Sequence, residues 1–178
     1  MPFTIRSATG EDSLDAANVV RAVFEEYGFT WDAEDYCADL YDLEAHYLSL
    51  GSKFWVAEVD GRVVGTTALE LYDLLPGSLG EAAEFEGKVR AAGSDCSLER
   101  LYVHPEARGS GVGRGLLELT ISEARQLGRV GMEVWSDKKL ENAHRLYDHY
   151  GAIPIGDRIC DDPDESPEWG FVMDLQKS

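Results

Sequence analysis

The chain has 178 residues, 44% of them hydrophobic, and a formal net charge of −18. That length suits one domain with a real core, so the whole of 1–178 is expected to be a single domain. The charge argues against nucleic acid and anionic membranes as partners. No apolar run nears the ~20 residues of a membrane span, and the start Met-Pro-Phe-Thr-Ile-Arg has no basic region followed by an apolar stretch, so a cytoplasmic protein is expected. The three cysteines, Cys37, Cys96 and Cys160, form no CxxC pair; they read as buried thiols, with no metal site expected.

Residues 3–6 read as a first strand. Leu14, Ala17, Val20, Phe24 and Tyr27 recur at helical spacing and predict a helix ending at Gly28. Tyr36, Leu40, Leu43 and Tyr47 predict a second helix, with Asp32 as its N-cap and Gly51 beyond its end. Residues 53–59 and 62–71 form a predicted hairpin around Asp60-Gly61. Residues 73–95 are punctuated by Pro76, Gly77, Gly80, Gly87 and Gly93 and predict a long connection with a short helical stretch at 81–89. A strand follows at 98–104, then a helix carrying Val112, Leu116, Thr120, Ala124 and Leu127 on one face. Further on come a strand at 130–135, a helix with Leu140, Ala143, Leu146, Tyr147 and Tyr150, and strands at 152–159 and 169–175 separated by an acidic turn. Ser136 or Asp137 is the expected cap of the last helix.

The informative stretch is Leu-Glu-Arg-Leu-Tyr-Val-His-Pro-Glu-Ala-Arg-Gly-Ser-Gly-Val-Gly-Arg-Gly-Leu, residues 98–116. A strand, a glycine loop and a helix start make a ready anion site from backbone N–H groups. The dinucleotide pattern GxGxxG fails at Arg114 and Leu116, and GxxxxGK[ST] fails at Arg114. What remains is Arg108-x-x-Gly111-x-Gly113, preceded by Leu101-x-Val103-x-Pro105. Charge is distributed accordingly: residues 98–145 hold eight Lys/Arg against seven Asp/Glu, while residues 1–60 hold thirteen acids against three Lys/Arg. The acidic N-terminal part is read either as a field for a cationic acceptor or as a solvated acidic surface.

This loop resembles the acetyl-CoA loop of the GCN5-related N-acetyltransferases (GNAT), whose pattern is Q/R-x-x-G-x-G/A after a strand ending L-x-V-x-P. Phe54-Trp-Val-Ala-Glu-Val-Asp-Gly-Arg-Val-Val-Gly65 resembles the family's central hairpin, and Ala143-His-Arg-Leu-Tyr-Asp-His-Tyr-Gly-Ala152 its A-x-x-L-Y-x-x-x-G-F/A helix. The resemblance covers nearly the whole chain and is weakest at 73–95. It implies an α/β fold of the α+β type: a mixed, mostly antiparallel sheet of about seven strands with helices on both faces. It further implies acetyl-CoA as co-substrate and transfer of the acetyl group to a primary amine (a small amine, amino acid or peptide N-terminus, cationic in one reading) by direct attack in a ternary complex. A homodimer is compatible with the family. A CoA-binding sensor or scaffold without transfer activity, and an O-acyl or longer-chain acyltransferase, are the alternatives.

The resemblance also assigns roles. Arg108, Gly109, Ser110, Gly111, Val112, Gly113 and Arg114 would hold the pyrophosphate, and Leu101, Tyr102 and Val103 would offer backbone groups to the pantetheine arm and the thioester oxygen. Gly111 and Gly113 have the clearest need to be glycine, because a Cβ could block close approach. Tyr147, a phenol of ordinary pKa about 10, would protonate the departing thiolate. His144 and His149 fall off its stripe and read as surface residues. Glu99 is the candidate base: it shares parity with Leu101 and Val103, and members often carry a carboxylate on this strand. Ser97 stands where some members place that carboxylate, and Glu133 or solvent water are the substitutes. Leu140 stands where many members carry an asparagine. A carboxylate paired with Arg100 or Arg62 is the structural alternative for Glu99.

Overall fold

The computed structural model describes residues 1–177. Among these described residues nine strands and four α-helices run in the order β1 (Thr4–Ser7), α1 (Ser13–Tyr27), α2 (Leu43–His46), β2 (Lys53–Val59), β3 (Arg62–Leu71), β4 (Ala82–Phe85), β5 (Lys88–Ala91), β6 (Cys96–Val103), α3 (Val112–Gln126), β7 (Gly131–Asp137), α4 (Glu141–His149), β8 (Ile153–Ile159) and β9 (Pro167–Asp174). Seven strands make one sheet in the order β1-β2-β3-β6-β7-β9-β8, and β4 and β5 pair separately. Pairing is antiparallel for β1–β2, β2–β3, β7–β9 and β8–β9, and parallel for β6–β7. The expected mixed, mostly antiparallel α/β sheet of seven strands is the one found. Among the described residues no helix is long and apolar enough to cross a membrane.

The chain divides into two compact units. The first comprises Met1–Glu70 and Glu99–Thr120. Its strands β2 and β3 are buried along most of their length, as expected for strands covered on both faces. The β2–β3 turn is at Asp60-Gly61, both with left-handed backbone (φ 50° and 76°), as the sequence predicts. A first core joins Ala16, Ala17, Val20 and Phe24 of α1 to Leu40, Leu43, Phe54 and Val56. A second joins Ala57, Val64, Ala107, Val112 and Leu116, with Phe3, Ile5, Leu101 and Val103 packed against it. Gly65 of β3 allows this second core to close: a Cβ there would stand 2.8 Å from Val112 and 2.9 Å from Leu116. The fully buried Val112 and Leu116, each contributing roughly 1.5–3 kcal/mol, seat the start of α3 on the strand.

The predicted second helix is broken. Asp32 accepts from the N–H groups of Glu34 and Asp35 and so caps a turn rather than a helix. A 3-10 turn at Ala38–Tyr41 follows, then the single turn of α2, capped by Asp42 through the Ala45 N–H. A further 3-10 turn, Leu48–Leu50, ends at the left-handed Gly51. The apolar spacing survives in Leu40, Leu43 and Tyr47, all buried. Asp32, Asp39 and Asp42 between them serve local turns and an ion pair instead of a continuous helix.

The second unit comprises residues 71–98 and 121 to the end of the described residues. Where the sequence predicts a helical stretch at 81–89, the chain forms the β4–β5 hairpin, turning at Glu86 and Gly87 (φ 50° and 81°). Two buried carboxylates fasten this hairpin. Glu133 of β7, 1% exposed, accepts from the Ala91 N–H at 2.8 Å, from Trp135 Nε1 at 3.1 Å and from the Arg90 guanidinium. Arg158 of β8 pairs with the buried Glu168 at 3.0 Å, donates to the Val89 carbonyl at 2.8 Å and lies 4.2 Å from the Trp135 ring centroid. The acidic turn is therefore not wholly solvated: Asp162 holds the buried Ser166, and Glu168 faces inward, its carboxyl pushed up by burial. Removing the Glu133 carboxylate leaves Arg90 and two N–H donors without their acceptor. Glu133→Ala is expected to cost about 3–5 kcal/mol in a denaturant titration; a loss under 1 kcal/mol would show that the hairpin does not depend on it.

Of the cysteines, Cys37 and Cys96 are buried, and burial pushes the Cys96 thiol up to about 12; Cys160 is half-buried. Among the described residues no group of three or more His, Cys, Asp or Glu is arranged to hold a metal ion.

Candidate active site

In the first unit the glycine loop is built by its own chemistry. Pro105 opens a 3-10 turn, Pro105–Ala107, that is capped when His104 Nδ1 accepts from the Glu106 N–H. Ser110 Oγ then donates back to the Ala107 carbonyl at 2.5 Å. The chain turns at Gly109 and Gly111, both left-handed (φ 76° and 88°), a region costing an L-residue roughly 1–2 kcal/mol. At this end of α3 the Gly115 N–H donates to the Gly111 carbonyl at 2.9 Å. N–H groups of the preceding turn point along the helix axis without intrahelical partners, where the helix dipole favours an anion.

Gly109 and Gly111 are exposed, and a Cβ at 111 would approach nothing nearer than Phe3, at 3.8 Å. The backbone therefore asks for glycine at 109 and 111. At Gly113 it does not: a Cβ there would make an ordinary contact with Val103 at 3.5 Å. Leu101 and Val103 turn their side chains into the core beneath α3, while Tyr102 packs edge-on against Phe24 at 6.0 Å. Arg108 projects from the loop and is paired with Glu26 of α1 at 2.5 Å; Arg114 lies 4.0 Å from Glu118, one turn on.

Strand β6 departs from a regular strand at Arg100, whose φ is 51°. Its carbonyl is taken by the Thr66 hydroxyl at 2.7 Å. Its guanidinium grips Asp39 at 2.8 and 3.0 Å, and Tyr47 donates to the same carboxylate at 2.5 Å. Burial and the neighbouring Asp39 carboxylate push the Tyr47 phenol well above its ordinary range, and Glu99 adds to that rise. Glu99 directly precedes the left-handed Arg100. Arg100 pairs with Asp39, and Arg62 with Glu106. Ser97 is buried and pairs with Glu133 across β6–β7.

In the second unit Tyr147 is 4% exposed, with its ring edge-on to Phe171 at 5.7 Å. His144, expected at the surface, is half-buried instead. Its ring lies 5.5 Å from Phe171 and 6.3 Å from Tyr147, and Nε2 is 3.0 Å from the Ser136 hydroxyl. Positions 144 and 147 are one helical turn apart, a spacing that puts them on one face. Burial pushes the imidazole below its ordinary range, which keeps it neutral at neutral pH. His149 is exposed, as expected, against Tyr150. Leu140 is the N-cap of α4 and no side chain caps it; Asp137 instead accepts from the Lys139 N–H at 2.8 Å. The substitute base Glu133 is sealed within the network that fastens the hairpin, its oxygens occupied by three donor groups.

The model of the Acetyltransferase (GNAT) family matches residues 19–152. An uncharacterized N-acetyltransferase of Escherichia coli is 30% identical over 149 residues, covering 83% of this chain and 80% of that protein. A GNAT-family acetyltransferase from Staphylococcus aureus superposes with a TM-score of 0.74 at 19% identity, covering 98% of this chain and all of that one. An acetyltransferase of Salmonella typhimurium, solved with its cofactor acetyl-CoA, gives 0.68 at 21% identity over 99% and 95% of the two chains. The chain belongs to the GNAT acetyltransferase family, whose co-substrate is acetyl-CoA.

Proposed function

We propose that this protein moves the acetyl group of acetyl-CoA to a primary amine by direct attack in a ternary complex, within one acetyltransferase domain over 1–178. Of that span, Ser178 lies outside the described residues. The observation that carries the reading is the exposed loop with left-handed Gly109 and Gly111 opening into the fifteen-residue α3. Such a loop suits a diphosphate, whose oxygens need several N–H donors at once and no intruding Cβ. Residues 108–114 hold the pyrophosphate in this reading, and the main chain of 101–103 serves the pantetheine arm and the thioester oxygen.

Acetyl-CoA supplies the activated acyl group. This chain's residues supply proton movement. An ammonium acceptor must lose a proton before its nitrogen has a lone pair to donate, and Glu99 receives it. The C–S bond breaks as the tetrahedral adduct collapses; the departing thiolate takes the Tyr147 hydroxyl proton, and the second proton lost as the nitrogen becomes an amide restores the phenol. The acceptor is a small amine, amino acid or peptide N-terminus. A cationic one is supported by the acidic N-terminal part, residues 1–60, with thirteen acids against three Lys/Arg.

The test is thiol release from acetyl-CoA across a panel of an alkyl diamine, free amino acids and short peptides. Amine-dependent release supports the reading, and tight CoA binding with no release on any of them favours a sensor. Glu99→Gln is expected to lower kcat/KM at neutral pH by about 10²–10⁴-fold. Unchanged turnover would assign proton removal to water.

A further inference from the structure

Arg108 opens the glycine loop with its main chain already committed. Its N–H donates to the Pro105 carbonyl at 3.4 Å, closing the 3-10 turn. Its backbone is extended (φ −68°, ψ 154°) just before the left-handed Gly109. What residue 108 can offer an anion is therefore its guanidinium. That group is held by Glu26 of α1, Nη1 to Oε1 at 2.5 Å, with each side chain 37% exposed. The second arginine of the loop, Arg114, stands 4.0 Å from its carboxylate neighbour Glu118.

Glu26 is itself poorly placed for its helix. α1 ends in Glu25-Glu26-Tyr27, with no basic residue in its last turn, and its C-cap is the left-handed Gly28. Carboxylates there face the last carbonyls and the negative end of the helix dipole, which disfavours them. Glu25 is relieved within the helix by Arg21, one turn back and 3.3 Å away. Glu26 takes its cation from the loop, 82 residues further along the chain. The pair adds little to the stability of the fold, because a partly exposed ion pair is screened by water. The same weakness makes it exchangeable. A guanidinium binds carboxylate and phosphate through one fork of N–H donors, and a diphosphate brings more charge than a single carboxylate.

We propose that Glu26 is an affinity-setting residue: it holds Arg108 in the free protein and surrenders it to the diphosphate of acetyl-CoA. This rests on the reading of residues 108–114 as the diphosphate loop. The exchange has a sign. The cofactor must displace a carboxylate before it gains the guanidinium, and Glu26 is left without its cation at the negative end of α1. Glu26 therefore weakens cofactor binding without touching the cofactor.

Calorimetric titration with coenzyme A at low ionic strength tests this. Glu26→Gln keeps the size of the side chain and removes its charge, and is expected to tighten coenzyme A about 3–5-fold. Arg108→Met is expected to weaken it about 5–20-fold. In the Arg108→Met background, Glu26→Gln is expected to change the Kd by less than about 1.5-fold, because the two residues act through one contact. Undiminished tightening in that background would make Glu26 only a source of negative field and overturn the proposal. An unchanged or weaker Kd in Glu26→Gln alone would overturn it too. Glu25→Gln, on the same turn but paired with Arg21, is expected to stay within about 1.5-fold of wild type; tightening equal to that of Glu26→Gln would again mean a general field.

Dephospho-coenzyme A keeps the diphosphate and lacks the 3′-phosphate. It is expected to show the same tightening in Glu26→Gln, and its failure to do so would overturn the assignment to the diphosphate. Wild-type affinity in Arg108→Met alone would overturn the exchange and leave the main chain of the loop in its role. Wild-type affinity in both Arg108→Met and Gly111→Glu would remove the loop reading and the exchange with it. Crystals grown without and with coenzyme A are expected to show the guanidinium first on Glu26, then within about 2.7–3.2 Å of a diphosphate oxygen. Arg108 still on Glu26 beside a diphosphate seated in the loop would overturn the exchange.

Discussion

Gly111→Glu is expected to abolish coenzyme A binding and leave the protein folded. Residue 111 is exposed, left-handed at φ 88°, and a Cβ there meets nothing closer than 3.8 Å. The substitution therefore costs the fold only the conformational penalty, about 1–2 kcal/mol. Binding loses much more, because a carboxylate arrives where a diphosphate needs donors and positive potential. A loss of at least about 100-fold in affinity, 2.7 kcal/mol or more, is the expected calorimetric result. Gly111→Ala separates the two contributions, since it carries the backbone strain without the charge. Gly113→Ala is the companion: the backbone tolerates a methyl there, so any loss of affinity it causes reports on closeness to the cofactor alone. Wild-type affinity in Gly111→Glu would show that the diphosphate is held elsewhere.

Tyr147→Phe is expected to lower kcat by roughly 10–1000-fold while the Kd of coenzyme A stays within about twofold. The ring is 4% exposed and packed on Phe171, contacts that phenylalanine keeps. Loss of one hydroxyl typically costs about 0.5–1.5 kcal/mol of stability, too little to unfold the chain. A slow chemical step with intact binding is the signature of a lost proton donor. Unchanged kcat would remove Tyr147 from the chemistry. The neutral His144, packed beside Tyr147 and held by Ser136, would then be the next group to examine.

The parts of the fold that were legible in the sequence are those where local chemistry and burial agree. The α1 stripe, the Asp60-Gly61 hairpin, the strand–loop–α3 unit and α4 all fall where periodicity and turn residues put them. The failures have definite causes. Apolar spacing from Tyr36 to Tyr47 is helical, but Asp39 is drawn out to Arg100, sixty-one residues away, and Asp32 and Asp42 cap separate turns. Long-range pairing of this kind leaves no trace in a local window. The 81–89 segment had a turn signal in Glu86-Gly87, the counterpart of Asp60-Gly61, yet its strands are short and their anchor, Glu133, comes more than forty residues later. Candidate residues are legible by motif, but backbone irregularity is not: nothing about an arginine announces the positive φ of Arg100. The surface expectation for His144 rests on one choice of helical stripe; the neighbouring choice, through 144 and 147, is the one that meets Phe171.

The most direct measurement is a crystal structure of this protein with coenzyme A bound. Diphosphate oxygens within about 2.7–3.2 Å of main-chain nitrogens between 109 and 114 are the expected result. A diphosphate bound elsewhere, with those nitrogens facing solvent, would contradict the assignment of the loop and the roles that depend on it.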